Sequence, residues 1–91
     1  MNPALDWRLL EELCAVHAVS GREDRMTAFV RDRIAGLVDE VHVDRLGNVT
    51  GILIGQRFPE TRLMLQAHMD ELGLIVRGVR ADGYVLFERV G

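Results

Sequence analysis

Leu63-Met64-Leu65-Gln66-Ala67-His68-Met69-Asp70-Glu71-Leu72-Gly73-Leu74-Ile75-Val76 is the stretch around which the rest of this chain is read. Two short apolar runs, Leu63–Leu65 and Leu74–Val76, flank a polar cluster of His68, Asp70 and Glu71. Runs this short, bounded by small or polar residues, suit buried strands. The cluster then sits where one strand ends and the next begins, the place where α/β sheets collect ligands and catalytic groups. Residues two apart in an extended chain share a face, so His68 and Asp70 point together. Imidazole is the commonest ligand of divalent transition metals, and a ligating His usually gives its other ring N–H to a carboxylate. His68 and Asp70 fit that pair. Glu71 points the other way unless the chain turns. The pair alone does not specify a metal, because H-x-D arises by chance in a chain with three His and 14 acids. A capped or solvent-facing His is the more frequent case.

Outward from this stretch the pattern is regular. Downstream, Leu74–Val79 and Tyr84–Val90 read as two strands joined at Ala81-Asp82-Gly83, Asp-Gly being a strong hairpin signal. Upstream, Arg62–Ala67 reads as the strand that carries the cluster. Before it, Val41 and Val43 alternate with His42 and Asp44, Leu46-Gly47-Asn48 supplies a turn, and Val49–Ile54 returns. His42 faces solvent on that alternation. Arg57-Phe58-Pro59-Glu60 is a loop.

The first forty residues are helical. Leu5, Leu9, Leu13 and Val16 recur at helical spacing, widened by Leu10 and Cys14, and predict a helix over 5–17 with Asp6 at its start. Cys14 is read as buried, Trp7 as a core or interface residue with core preferred, and His17 as a dipole-complementing or surface residue near the helix end. Ser20-Gly21-Arg22-Glu23 has the form of a capping box and predicts a second helix running from there to about Val38. Its buried stripe is Met26, Phe29, Val30, Ile34 and Leu37. Arg22, Arg25, Arg31, Asp32 and Arg33 make a solvated face.

Composition bounds the function. Ninety-one residues support one small domain at most, and 48% hydrophobic residues make the chain globular. The net charge of −3 argues against a nucleic-acid footprint, although all 11 basic residues are Arg. A single Cys14 rules out an internal disulfide and fits a reducing compartment. No signal peptide is visible, and no apolar run has the length of a membrane span. The expectation is a cytoplasmic protein with no membrane and no nucleic-acid partner.

Three elements, in order, resemble one family. Ser20-Gly21-Arg22-Glu23 is similar to an S-G-x-E before that family's second helix. Asp44-Arg45-Leu46-Gly47-Asn48 is similar to its D-x-x-G-N turn. Ala67-His68-Met69-Asp70-Glu71-Leu72-Gly73 is similar to its A-H-M-D-E-h-G site, where h is apolar. The family is the glutamyl and tetrahedral (deblocking) aminopeptidases, dinuclear metallopeptidases some of whose members are labelled endoglucanases. The resemblance implies hydrolysis of N-terminal residues from peptides by a water activated between two divalent metals, zinc or cobalt. It implies that His68 is a metal ligand and Asp70 the catalytic carboxylate that orients it; Glu71 receives no role.

The fold implied is an α/β sandwich with an inserted β domain. Two N-terminal helices would be followed by a mixed sheet made of a β-hairpin, the site-bearing strand and a second β-hairpin. Residues 1–72 would open the catalytic α/β domain and residues 73–91 the inserted domain. Family members are several times longer, and their bridging Asp, general-base Glu and remaining ligands lie beyond the point matching Gly91. The expectation is therefore an N-terminal fragment, inactive alone, of a homo-oligomeric enzyme. Two alternatives stay open. One is a non-catalytic interaction module that pairs with full-length subunits through exposed strands. The other is a stand-alone β-rich binding domain in which His68 and Asp70 are ordinary polar residues.

Overall fold

The computed structural model describes residues 6–91. Helix α1 spans Trp7–Ala15 and helix α2 Asp24–Ile34; β1 (Glu40–Val43), β2 (Val49–Ile52), β3 (Gly73–Val79) and β4 (Val85–Val90) follow. β1 pairs with β2 and β3 with β4, both antiparallel, as two separate two-stranded sheets. The single mixed sheet expected from the sequence is therefore not formed.

α1 starts where its cap dictates. The Asp6 carboxylate accepts from the N–H groups of Arg8 at 3.1 Å and Leu9 at 3.2 Å, two of the donors left open at a helix start. Leu9, Leu13 and Val16 are half-buried at the expected spacing, while Leu5 lies outside the described residues. Trp7 is 69% exposed and the Cys14 thiol is also exposed, contrary to the reading of both as buried. α1 buries no residue fully, so its apolar stripe has no second layer to close over it.

α2 starts later than its capping box predicts. Arg22 N–H donates to Val19 O at 2.7 Å and Gly21 takes φ +83°, so residues 19–22 close a tight turn of their own. Ser20 is a central residue of that turn, and Glu23 becomes the N-cap without a side-chain cap bond. Met26 is buried, and Phe29, Val30 and Ile34 are half-buried, as the stripe requires. The helix ends at Ile34 instead of Val38. Leu37 N–H turns back to Ile34 O at 2.8 Å, beside a glycine that weakens a helix, and Leu37 is exposed.

The inner face of α2 rests on the β1–β2 hairpin, where a Cβ added to Gly51 would lie 3.0 Å from Ile34 Cδ1. The hairpin turn is built by Asp44. Its carboxylate accepts from Leu46 N–H at 2.8 Å, Asn48 N–H at 3.0 Å and the Asn48 amide at 2.7 Å. Thr27 of α2 then donates to Gly47 O at 2.9 Å, and Gly47 adopts φ +87° to make that approach. β2 stops at Ile52, short of the expected Ile54, because Ile54 N–H goes to the Asp39 carboxylate instead of a strand partner.

The expected strand Arg62–Ala67 is not a strand here. Residues 61–70 carry no ladder, and Leu63, Met64 and Leu65 are 84%, 82% and 86% exposed. A strand is defined by a hydrogen-bonded neighbour, and no described segment forms a ladder with this one, although Leu63 and Leu65 share a groove with Leu53 and Phe58. The β3–β4 hairpin forms over the expected span, with a register shift between Val76 and Gly78 that breaks the simple alternation of faces.

Candidate functional site

The polar cluster sits at the end of the unladdered segment, just before β3. The His68 ring Nδ1 lies 2.9 Å from the Asp70 carbonyl oxygen and 3.0 Å from Asp70 Oδ1. A carbonyl and a carboxylate only accept, so Nδ1 carries the proton and donates to both. The proton on Nδ1 leaves Nε2 as the lone-pair nitrogen, the atom available to a metal. The side chain of His68 is 85% exposed and that of Asp70 34%. Exposure keeps Nε2 accessible. Two residues of extended chain bring the two side chains within reach of each other.

Glu71 turns away from the pair through its backbone. Its N–H donates to Ala18 O at 2.8 Å, in a parallel bridge between Val19 and Glu71. Gly73 follows in contact with Val19. A Cβ at position 73 would collide with the Val19 methyl groups, so only glycine permits this approach. Reading the sequence did not pair the Ala18–Arg22 turn with the cluster. The one available signal was the glycine just after it, which marks a close backbone approach.

The other sequence candidates do not converge on His68. His42 Nε2 pairs with Glu40 at 3.0 Å on the exposed face of β1, and His17 lies exposed after α1. Among the described residues no group of three or more His, Cys, Asp or Glu is placed to hold a metal ion. The site therefore offers one position of a ligand set, with the tautomer and accessibility a ligand needs, and not the whole set. An apolar groove elsewhere, lined by Leu53, Phe58, Leu63 and Leu65, carries no titratable group suited to chemistry.

Residues 47–91, which contain the whole cluster and both β3 and β4, match the M42 glutamyl aminopeptidase family. The chain is similar to the M42 glutamyl aminopeptidases over these residues. A lysyl aminopeptidase of Pyrococcus furiosus is 34% identical over 96% of this chain, which spans 25% of that protein. The glutamyl aminopeptidase of Lactococcus lactis is 30% identical over 81% of the chain and 21% of its own length. Among solved structures, a protein titled endoglucanase from Thermotoga maritima has a TM-score of 0.77 and 40% identity, covering 90% of this chain and 26% of that one. A TET aminopeptidase from a marine sediment Thaumarchaeota archaeon also has a TM-score of 0.77, at 34% identity, covering 93% of this chain and 23% of that one.

The chain thus spans about a quarter of the length of the relatives it matches. The two helices and two hairpins are similar in arrangement to the corresponding part of the TET aminopeptidase. M42 aminopeptidases are metallopeptidases. No helix of the described residues is long and apolar enough to cross a membrane.

Proposed function

We propose that this chain is the N-terminal portion of a cytoplasmic metal-dependent aminopeptidase that removes N-terminal residues from peptides. In this reading residues 1–72 open the catalytic α/β domain and residues 73–91 the inserted β domain. The observation that carries the reading is the His68–Asp70 pair inside Ala67–Gly73, with Nδ1 committed to Asp70 and Nε2 open.

His68 Nε2 would hold one of two divalent cations, zinc or cobalt, and the remaining ligands would come from outside the described residues. The chemistry supplied by the bound cations is Lewis-acid activation of a water and of the scissile carbonyl. Asp70 has a separate task. Its carboxylate and its main-chain carbonyl together hold the imidazole in the Nδ1–H tautomer, and the carboxylate raises the basicity of the ligating nitrogen. Glu71 is bound to the fold through its backbone, and no catalytic task is assigned to it. The supporting relatives are aminopeptidases by name, acting on glutamyl and lysyl peptides, so a peptide with a free N-terminus is the substrate class.

The 91-residue chain alone should release no amino acid from a peptide at any zinc or cobalt concentration, because a catalytic metal site normally needs three protein ligands. Metal-dependent release by the pure chain would refute this. Within a polypeptide of the relatives' length, His68→Ala should remove one metal and nearly all turnover. Asp70→Asn should weaken metal affinity or turnover by about 10–100-fold. Unchanged turnover of both variants at limiting metal would reduce the pair to ordinary surface residues. The high exposure of Leu63–Leu65 supports a second reading, a non-catalytic module that pairs with full-length subunits through this segment. A pull-down of full-length subunits by the chain, lost on Met64→Lys, would favour it.

A further inference from the structure

The Asp70–Glu71 peptide group is held at both ends. Its carbonyl, that of Asp70, accepts from His68 Nδ1–H at 2.9 Å. Its N–H, that of Glu71, donates to Ala18 O at 2.8 Å. Ala18 is 0% exposed, and among the described residues this is the single hydrogen bond between residues 62–91 and residues 6–61. A peptide unit that donates at one end and accepts at the other is polarised by each bond, so the two strengthen one another. Fixing the peptide plane also fixes the direction of its carbonyl, and with it the plane of the imidazole.

We infer that the Ala18–Val19 turn positions the His68 ring, through the chain of contacts from Ala18 O to the Glu71 N–H and from the Asp70 carbonyl to His68 Nδ1–H. The contact of Val19 with Gly73 is the register stop of this device. The Val19 methyls occupy the volume a side chain at 73 would need, so the two backbones meet only at the spacing that seats Glu71 N–H on Ala18 O. The functional role of His68 in this inference rests on the metal-ligand reading above, whereas the positioning itself does not. Ala18 and Val19 are positioning residues, and they lie outside the motif that carries the family resemblance at His68.

The test needs no metal. In the 91-residue chain, above the pH at which imidazole is neutral, ¹⁵N NMR reads the His68 tautomer, and hydrogen exchange reads the Glu71 amide. The unmutated chain should show the Nδ1–H form at His68 and a protected Glu71 amide. Gly73→Ala should speed Glu71 exchange by about fivefold to tenfold, the loss of one net hydrogen bond. It should also move His68 toward the Nε2–H form that free imidazole favours. Val19→Ala in the same chain removes the colliding methyls and should restore both readouts. If Gly73→Ala fails to fold, Val19→Ala alone still decides: it loosens the stop, so the two readouts should fall together and in proportion. Loss of Glu71 protection with an unchanged His68 tautomer, in any variant, would overturn the inference and leave the metal-ligand reading untouched. A wild-type His68 in the Nε2–H form would overturn both.

Discussion

Asp44 shows how much one carboxylate does in a chain with little core. It accepts from two backbone N–H groups and one amide, and the Asn48 side-chain bond leads the causes that hold its carboxyl below the usual 3.8. A carboxyl whose folded value is depressed contributes stability that is present above its unfolded pKa and lost as pH falls through the folded value. The Leu46 and Asn48 amides should therefore exchange faster only as pH drops below about 3.8. Asp44→Ala should remove that pH dependence and leave the turn equally loose at pH 7, as amide exchange across the range will show. The D-x-x-G-N resemblance is accounted for here as structure: Asp44 and Asn48 close the turn, and Gly47 lets it reach Thr27.

At the level of elements, the docking of α2 on the first hairpin is the best-packed part of the described chain. Met26 is its buried anchor, and Thr27 ties the helix to the turn. Met26→Ala should cost about 2 kcal/mol, the low end for a buried large-to-small change, because the site borders solvent and can relax. Gly47→Ala should cost about 1–2 kcal/mol, since φ +87° is unfavourable to a Cβ, and that Cβ would stand 3.2 Å from Thr27 Oγ1. Denaturant titration followed by helix signal measures both. Equal stability of Gly47→Ala and the parent would mean the turn is not docked on α2. The β3–β4 hairpin lacks comparable support. Its Arg77–Glu88 ion pair at 2.7 Å is exposed and adds little, so an isolated hairpin of this kind is marginal in water.

The whole molecule is open. Its radius of gyration is 18.0 Å, against about 12 Å for a compact chain of this length. Its accessible surface is 8597 Å², against about 5,400 Å² for a compact protein of its mass. The excess exceeds the surface that a standard-size protein interface buries. Leu53, Ile54, Leu63–Leu65 and the β3–β4 residues Leu74–Val76 contribute to it. Chains with unpaired apolar edges pair with other chains. Sedimentation at micromolar concentration should show self-association of the 91-residue chain, reduced by Met64→Lys, which puts a charge in the exposed apolar run. A sharp monomer with a cooperative melt would mean that the chain closes into a compact domain instead.

The features legible from residues alone are those settled within a few positions of the chain. The Asp6 cap, the turns at Leu46–Asn48 and Ala81–Gly83, the half-buried stripe of Met26, Phe29, Val30 and Ile34, and the joining of His68 to Asp70 all depend on near neighbours. Local sterics and local hydrogen bonds decide them. The features that were misread depend on what arrives from elsewhere. Ser20 does not cap the helix because residues 19–22 close a turn of their own, and Val19 of that turn bridges Glu71. Arg62–Ala67 has the composition of a strand, but a ladder needs a second backbone in hydrogen-bonding register, and among the described residues none is bonded to it. Trp7 and Cys14 stand on an apolar stripe, yet burial requires a layer to cover them. Hydrophobic pattern states which face would be buried; only the packing of distant segments decides whether anything buries it, and among the described residues the meeting of Ala18 with Glu71 is the one such long-range hydrogen bond that reaches the site.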